Sequence, residues 1–361
     1  MKAAVMRELN KPLEIEEVDI DKPGPNEVLT RTAASGVCHS DLHIMEGGIP
    51  MPLPCILGHE PAGIVEAVGS DVTEVKVGDH VIGCLNAWCG TCEFCLTGRP
   101  HLCMPELIGR PLDAAPRLSK DGSPLVQFAL SSFAEYMLTH ERALVKIRDD
   151  MPLDRAALIG CGVTTGIGAA LKTARVEPGS TCAVIGNGGV GLSALQGCRI
   201  AGAGRIIAVD NQAWKLELAK DLGATDVVNS GDDDAVAKVM ELTGGGVDYA
   251  FECIGLQPTI QQAVGMLKKG GAAVLVGVLP VTETVALSAA DITLSEKRVL
   301  GSFMGSNAFR RDMPHYVDFY LDGRLRLDEM ISNRIGLEDI NGAFDAMRKG
   351  EVARSVITFD S

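Results

Sequence analysis

The sequence predicts an α/β protein in which a doubly wound parallel sheet is joined to a separate, irregular, mostly β domain. Three observations carry this. First, 361 residues are too many for one ordinary core, so two domains are expected. Second, apolar strand-like runs recur at even spacing from about residue 163: TCAVIG at 181, RIIAVD at 205, DVVN at 226, VDYAFE at 247, AAVLVG at 272 and RVLGSF at 298. Helix-like stretches such as VGLSALQGCRIAGAG, WKLELAKDLG and TIQQAVGMLKKG lie between most of them, the alternation of a parallel sheet covered on both faces. Six such strands match a doubly wound dinucleotide fold. Third, residues 1 to about 160 have a different texture. Short β-like runs (EVLTRTAA, AGIVEAVG, KVGDHVIG, AEYMLTH, ALVKI) are broken by turn signals such as KPGPNE and VGSDV.

After about residue 305 the alternation stops. The tail EMISNRIGLEDINGAFDAMRKGEVARSVITF reads as a short helix and strands. The expectation is a discontinuous first domain, 1–162 with 305–361, and a second domain, 163–304.

Hydrophobic content of 46% and charged content of 22% are those of a soluble globular chain. A net charge of −14 argues against nucleic acid or an anionic membrane as partner. The N-terminal MKAAVMRELNKPLEIEEVDI has no long apolar core and does not read as a secretory signal. No stretch reads as long and apolar enough to span a bilayer. A cytoplasmic setting is expected, where thiols stay reduced. The odd count of 11 cysteines also argues against complete disulfide pairing.

Gly186-Asn187-Gly188-Gly189-Val190-Gly191 fits G-x-G-x-x-G directly after the TCAVI strand and at the opening of a helix. RIIAV follows and ends in Asp210, about 20 residues on, as a dinucleotide cradle requires. The glycines let the backbone approach a pyrophosphate, and the helix N-terminus offers it free N–H groups. Asp210 would accept bonds from ribose hydroxyls and repel a 2′-phosphate, which favours NAD(H) over NADP(H).

Three separated pieces hold metal-ligand residue types: GVCHSD around Cys38, LGHEPAG around His59 and IGCGVTTG around Cys161. Asp41 and Glu60 lie beside them, where carboxylates orient an imidazole and tune a metal. Two thiolates and one imidazole match a catalytic zinc with an open fourth position. A fourth piece, CGTCEFCLTGRPHLC, brings Cys89, Cys92, Cys95 and Cys103 into one short segment.

Taken together, the chain resembles a zinc-dependent alcohol dehydrogenase of the medium-chain dehydrogenase/reductase family. GHEPAGIVEAVGSDV matches the family's G-H-E-x-x-G-x-x-x-x-x-G signature, and the likeness runs from Cys38-His39-Ser40-Asp41 to GEVARSVITF. It implies a GroES-like catalytic domain, a Rossmann NAD-binding domain, NAD as cofactor and two Zn2+ per chain. Cys38, His59 and Cys161 would hold the catalytic zinc, a Lewis acid that lowers the alcohol's pKa. Cys89, Cys92, Cys95 and Cys103 would fill a closed structural site in a lobe at about 88–104. Ser40 and His43 match the proton relay, Glu60 a position behind the zinc, and Asp41 a partner of His59. His39 and Arg354 match positions facing the pyrophosphate, with His39 standing where many relatives carry Arg. Lys215 matches a ribose contact. Thr165 and Val190 match residues near the nicotinamide, and Val276 is a further cofactor-binding candidate. Cys55, Cys84, Cys182, Cys198 and Cys253 read as buried apolar residues.

The substrate is expected to be a primary alcohol or its aldehyde. The resemblance places the pocket at Leu85, Trp88 and residues 104–130. Leu85 falls where many relatives have an aromatic residue, which favours bulkier or aromatic alcohols. A thiol-adduct (formaldehyde-type) or polyol dehydrogenase is the alternative. Leu107 replaces the Arg of the glutathione-dependent branch and His43 its usual Tyr, although Arg110 is close by. A homo-oligomer is expected, a dimer ahead of a tetramer, with the edge near RVLGSF as a candidate seam.

Overall fold

A computed structural model describes residues 1–103, 110, 114–280 and 282–359. The chain divides into two compact units: Met1–Cys161 with Ala308–Gly323 and Ile331–Ser361, and Gly162–Asn307 with Arg324–Met330. The second unit thus claims a piece of the tail that the sequence reading assigned to the first domain. The Gln196 side chain donates to Arg326 O and accepts from Arg326 N, at 3.0 and 2.8 Å, and Arg326 reaches the Asp221 carbonyl.

In the first unit, the long strand Glu27–Gly36 pairs with Glu60–Val68, Tyr136–His140 and Arg354–Thr358. His80–Gly83 and Leu144–Lys146 extend the sheet on one side and Ile331–Ile335 on the other. The helix Ile340–Arg348 forms because Ile340, Ala343, Phe344 and Met347 repeat at helical spacing and bury one face. That face packs with Met6, Leu57 and Phe133 into one core cluster. Phe344 meets Phe133 edge-on at 6.1 Å.

Among the described residues, the second unit carries a six-stranded parallel sheet. Its order is Asp226–Asn229, Arg205–Asp210, Thr181–Ile185, Val247–Glu252, Leu267–Leu275, Arg298–Gly301. The strand order reverses between Thr181–Ile185 and Val247–Glu252, the crevice where doubly wound sheets bind dinucleotides. Helices Gly189–Ile200, Ala213–Leu222, Ala235–Thr243 and Gln257–Gly265 alternate with the strands. The stretch TIQQAVGMLKKG is shorter as a helix than its composition suggests. Leu267 already pairs with Val247, so MLKKG belongs to the turn and the next strand.

The helical run Leu153–Ala174 is, by length and composition alone, long and apolar enough to cross a membrane, contrary to the sequence expectation. Its apolar window is 78% buried within the protein, as a core helix is. It is not regular: π-type turns occupy Ile159–Val163 and Ala169–Ala174.

Candidate active site

Three chain segments converge in the first unit. The strand Glu27–Gly36 delivers Cys38 to the N-cap of the short helix His39–Met45. His59 and Glu60 stand at the start of the strand Glu60–Val68. Cys161 lies in the π turn Ile159–Val163; such turns recur at functional sites because the extra residue re-aims a side chain. The ligand atoms of Cys38, His59, Glu60 and Cys161 all lie within 4.8 Å of one another, and all four residues are buried.

The cluster has a built orientation. Asp41 Oδ1 lies 3.2 Å from His59 Nδ1 and accepts from Gly58 N at 3.0 Å, which leaves His59 Nε2 directed elsewhere. Among the described residues, Nε2 is buried without a hydrogen-bond partner, as are both carboxylate oxygens of Glu60. An orphaned imidazole nitrogen beside two thiols is what a metal-ligand set looks like before its ion is counted. The donors suit zinc.

The electrostatics are tightly shared. A hydrogen bond from Cys161 holds the Cys38 thiol well below its ordinary range; His59 assists and burial opposes. Cys161, the donor of that pair, is pushed well above its ordinary range by the same bond and by burial. Burial pushes Glu60 up to about 7 against the pull of Arg354. Burial works to lower the Arg354 guanidinium, and the charges of Glu60, Cys38 and Cys161 outweigh it and raise it. Arg354 Nη1 lies 3.3 Å from Glu60 Oε1. Arg354 is therefore a buried partner of Glu60, a contact that the sequence reading did not anticipate when it assigned this residue to the pyrophosphate.

Ser40 and His43 share one face of the helix His39–Met45. Ser40 Oγ lies 3.8 Å from Cys38 Sγ. His43 is exposed, and its ring centre is 6.3 Å from that of His39.

The second cysteine group is built differently. Cys89, Cys92, Cys95 and Cys103 bring four sulfurs within 4.8 Å of one another. Cys92 and Cys103 sulfurs are 3.8 Å apart, far beyond a disulfide bond, and all eleven cysteines are free. Backbone N–H groups of Cys89 and Cys92 point at sulfurs at 3.1 and 3.2 Å. Four thiolates binding one zinc would fill its four positions and leave none open. Of the remaining cysteines, Cys55, Cys84, Cys182 and Cys198 are fully buried; Cys253 is half-buried, a correction to the expectation.

In the second unit the glycine turn is shaped for a phosphate. A side chain at Gly191 would collide with Gly186 O, whereas one at Gly188 would meet open space, so the turn is a tight cradle with an open mouth. Gly188 caps the helix Gly189–Ile200 without any side-chain bond, which leaves N–H groups of its first turn for an anion. Asp210 accepts from Asn187 N at 2.7 Å and Gln212 N at 3.0 Å. Lys215 places its ammonium 5.6 Å from the Trp214 ring centre. Thr165, Val190 and Val276 belong to this unit, and the Thr165 hydroxyl meets Met304 sulfur at 3.8 Å.

Several expectations need revision. Trp88, named for the substrate pocket, stacks on Phe309 at 6.2 Å beside the four-cysteine lobe, in a cavity of about 270 Å3 shared with Cys95 and Arg310. Arg110 is committed elsewhere: it donates to Glu27, Asp21 and two carbonyls. Leu107 and most of 104–113 lie outside the described residues. Gly36 was missed: a side chain there would strike Glu60 Oε2, so this glycine makes room for the carboxylate. Its adjacency to Cys38 in GVCHSD was the available signal.

The comparisons agree with this chemistry. Residues 24–149 match the alcohol dehydrogenase GroES-like domain and residues 189–322 the zinc-binding dehydrogenase domain. The chain is 43% identical to a Drosophila melanogaster alcohol dehydrogenase class-3, over 99% of this chain and 97% of that protein. It is 41% identical to the Dictyostelium discoideum alcohol dehydrogenase class-3, with the same coverage. The crystal structure of benzyl alcohol dehydrogenase from Acinetobacter calcoaceticus superposes with a TM-score of 0.92 at 37% identity, over 99% of each chain. The chain therefore belongs to the zinc-dependent, NAD-using alcohol dehydrogenases of the medium-chain dehydrogenase/reductase family.

Proposed function

We propose that Cys38, His59 and Cys161 hold the catalytic zinc, that the four-cysteine lobe holds a structural one, and that the substrate is a bulky or aromatic primary alcohol. The observation that carries the first assignment is the buried His59 Nε2, which lies beside two thiols and has no hydrogen-bond partner among the described residues. A zinc ion there supplies Lewis acidity toward an alcohol oxygen. The chain's own residues do the rest. Asp41 fixes the His59 ring and its tautomer. As the alcohol carbon gives up hydride to NAD+, Ser40 would accept the hydroxyl proton while releasing its own, and His43, exposed on the same helical face, would pass that proton to solvent. Glu60 and Arg354 set the charge behind the ligands. Gly186 to Gly191 cradle the pyrophosphate of NAD, and Asp210 holds the adenosine ribose.

The bulky-alcohol reading rests on Leu85 in the pocket segment and on the likeness to the Acinetobacter enzyme, whose name states benzyl alcohol. The thiol-adduct alternative draws on the class-3 likeness and is weakened because Arg110 is already bonded to Glu27 and Asp21. A panel from ethanol through hexanol to benzyl alcohol, with formaldehyde plus glutathione in parallel, separates the two by NADH formation. Turnover confined to the glutathione arm would reverse the order of preference. The edge strand Arg298–Gly301, with Val299 and Phe303 exposed, supports a dimer, which light scattering tests. Eleven free cysteines suit a reducing compartment such as the cytoplasm.

A further inference from the structure

The strand Arg298–Gly301 runs into a turn with an uncommon backbone. Met304, Gly305 and Ser306 are consecutive, and all three have positive φ, at 48°, 63° and 54°. Gly305 adopts this region freely, whereas Met304 and Ser306 are strained in it. Such a run persists only where its surroundings over-determine it.

The surroundings do so at three points. The Asn307 side chain is fully buried, and its amide donates to Thr164 O at 2.8 Å and to Met304 O at 2.7 Å. Gly305 lies against Gly168: a side chain on either glycine would strike the backbone of the other. The third point is a chain of hydroxyls. Thr173 Oγ1 lies 2.9 Å from Ser302 Oγ and 2.8 Å from Ser306 Oγ. Ser302 precedes the left-handed run and Ser306 closes it, so one hydroxyl grips both ends. Thr173 is carried by the π turn Ala169–Ala174.

The turn follows the C-terminal end of a strand that lies beyond the reversal of strand order. Ligands of doubly wound sheets lie over those ends. With adenosine at Asp210 and pyrophosphate at the glycine turn, the nicotinamide end runs the other way, over Val247–Glu252 and Leu267–Leu275 toward Arg298–Gly301. The turn borders that half. Ser302 N donates to Leu275 O at 2.9 Å, next to Val276, and the Thr165 hydroxyl meets Met304 sulfur at 3.8 Å.

We propose that Thr173 is a positioning residue whose hydroxyl holds the left-handed turn Met304–Ser306, and with it Met304, as a wall of the nicotinamide half of the coenzyme crevice. Thr173 acts through the turn. The proposal rests on NAD binding over the glycine turn.

The test follows NADH binding to the zinc-loaded full chain by the fluorescence of NADH, whose emission reports the surroundings of the nicotinamide ring itself. Thr173→Val removes the hydroxyl and keeps the shape. It is expected to weaken NADH about fivefold and to move the emission of bound NADH toward that of free NADH. Thr173→Ser keeps the hydroxyl and should stay within about twofold of wild type, with wild-type emission. Ser306→Gly separates positioning from stability. Glycine accepts the positive φ without strain, so the thermal midpoint should hold or rise, while loss of the Thr173 contact should still weaken NADH about threefold. This variant also supplies the readout should Thr173→Val misfold. Unchanged affinity and emission in both Thr173→Val and Ser306→Gly overturn the proposal. A Thr173→Ser variant that behaves like Thr173→Val overturns it too, by showing that the hydroxyl is not what matters. Lower thermal stability in Thr173→Val with wild-type NADH affinity and emission also overturns it, by showing a merely structural role. A wild-type chain that binds no NADH overturns the coenzyme reading itself, and the proposal with it.

Discussion

The two cysteine-rich centres solve the same problem of gathering soft ligands in opposite ways. The lobe takes Cys89, Cys92, Cys95 and Cys103 from one short segment, and Cys92 and Cys95 remain half-exposed. Its shape is local: turns such as Cys92 N to Cys89 Sγ close around the sulfurs. The inner cluster takes Cys38, His59, Glu60 and Cys161 from distant segments and buries every one. It adds groups that the lobe lacks, a carboxylate–imidazole pair and a buried Glu60–Arg354 pair. A closed four-sulfur site holds a loop together. A three-ligand site with tuned surroundings leaves a position for chemistry. A metal that reacts needs a prepared environment, and a metal that holds shape does not.

The sharpest way to break this comparison is to delete one ligand from each centre. Cys38→Ala should lose one zinc per chain and at least about a thousandfold in turnover with little loss of fold. Cys95→Ala should also lose one zinc, but lower thermal stability or soluble yield first. Equal effects of both on turnover at matched folded fraction would erase the distinction. The next test concerns proton movement, which belongs to the inner centre alone. His43→Ala should reduce turnover about 10- to 100-fold with both zincs retained and a changed pH profile. An unchanged pH profile would remove His43 from the relay.

Accessibility sharpens the contrast further. A limiting thiol reagent should modify Cys92 and Cys95 before Cys38 and Cys161, so the first zinc released should leave dehydrogenase activity largely intact. Activity that falls in step with the first zinc would refute the burial argument.

The smallest effect gives the background of fold stability against which both centres are read. Burial would raise the Glu27 carboxyl, but bonds from Arg110, Gly24 and Arg117 overcome it and lower it from 4.5 to about 2. A depressed folded-state value means that its stabilisation is complete above the unfolded value and is lost as pH falls toward about 2. Glu27→Gln should therefore be less stable at neutral pH by about 2 kcal/mol. The gap should close in acid, as read from urea unfolding at a series of pH values. A gap independent of pH would mean that packing, and not charge, accounts for it.

The sequence by itself determined whatever is local. The strand–G-x-G-x-x-G–helix order, the later strands and the four-cysteine spacing all rest on neighbours within a few residues, where φ freedom, period and reach suffice to state the outcome. Cys38, His59 and Cys161 were legible as candidates because they sit in short glycine-flanked pieces, and the resemblance supplied the grouping. Other facts only the tertiary structure decided. Arg354 pairs with Glu60 because the strand Arg354–Thr358 lies beside Glu27–Gly36, which also pairs with Glu60–Val68. Gly36 matters because a carboxylate from another strand fills the space where its side chain would be. Residues 324–330 join the second unit through Gln196. Trp88 turns to Phe309, and Glu252 gathers two loops under the glycine turn. The physical reason is common to all of them: each is a contact between residues far apart in the chain, and the free energy of such a contact depends on what the fold has already placed beside it.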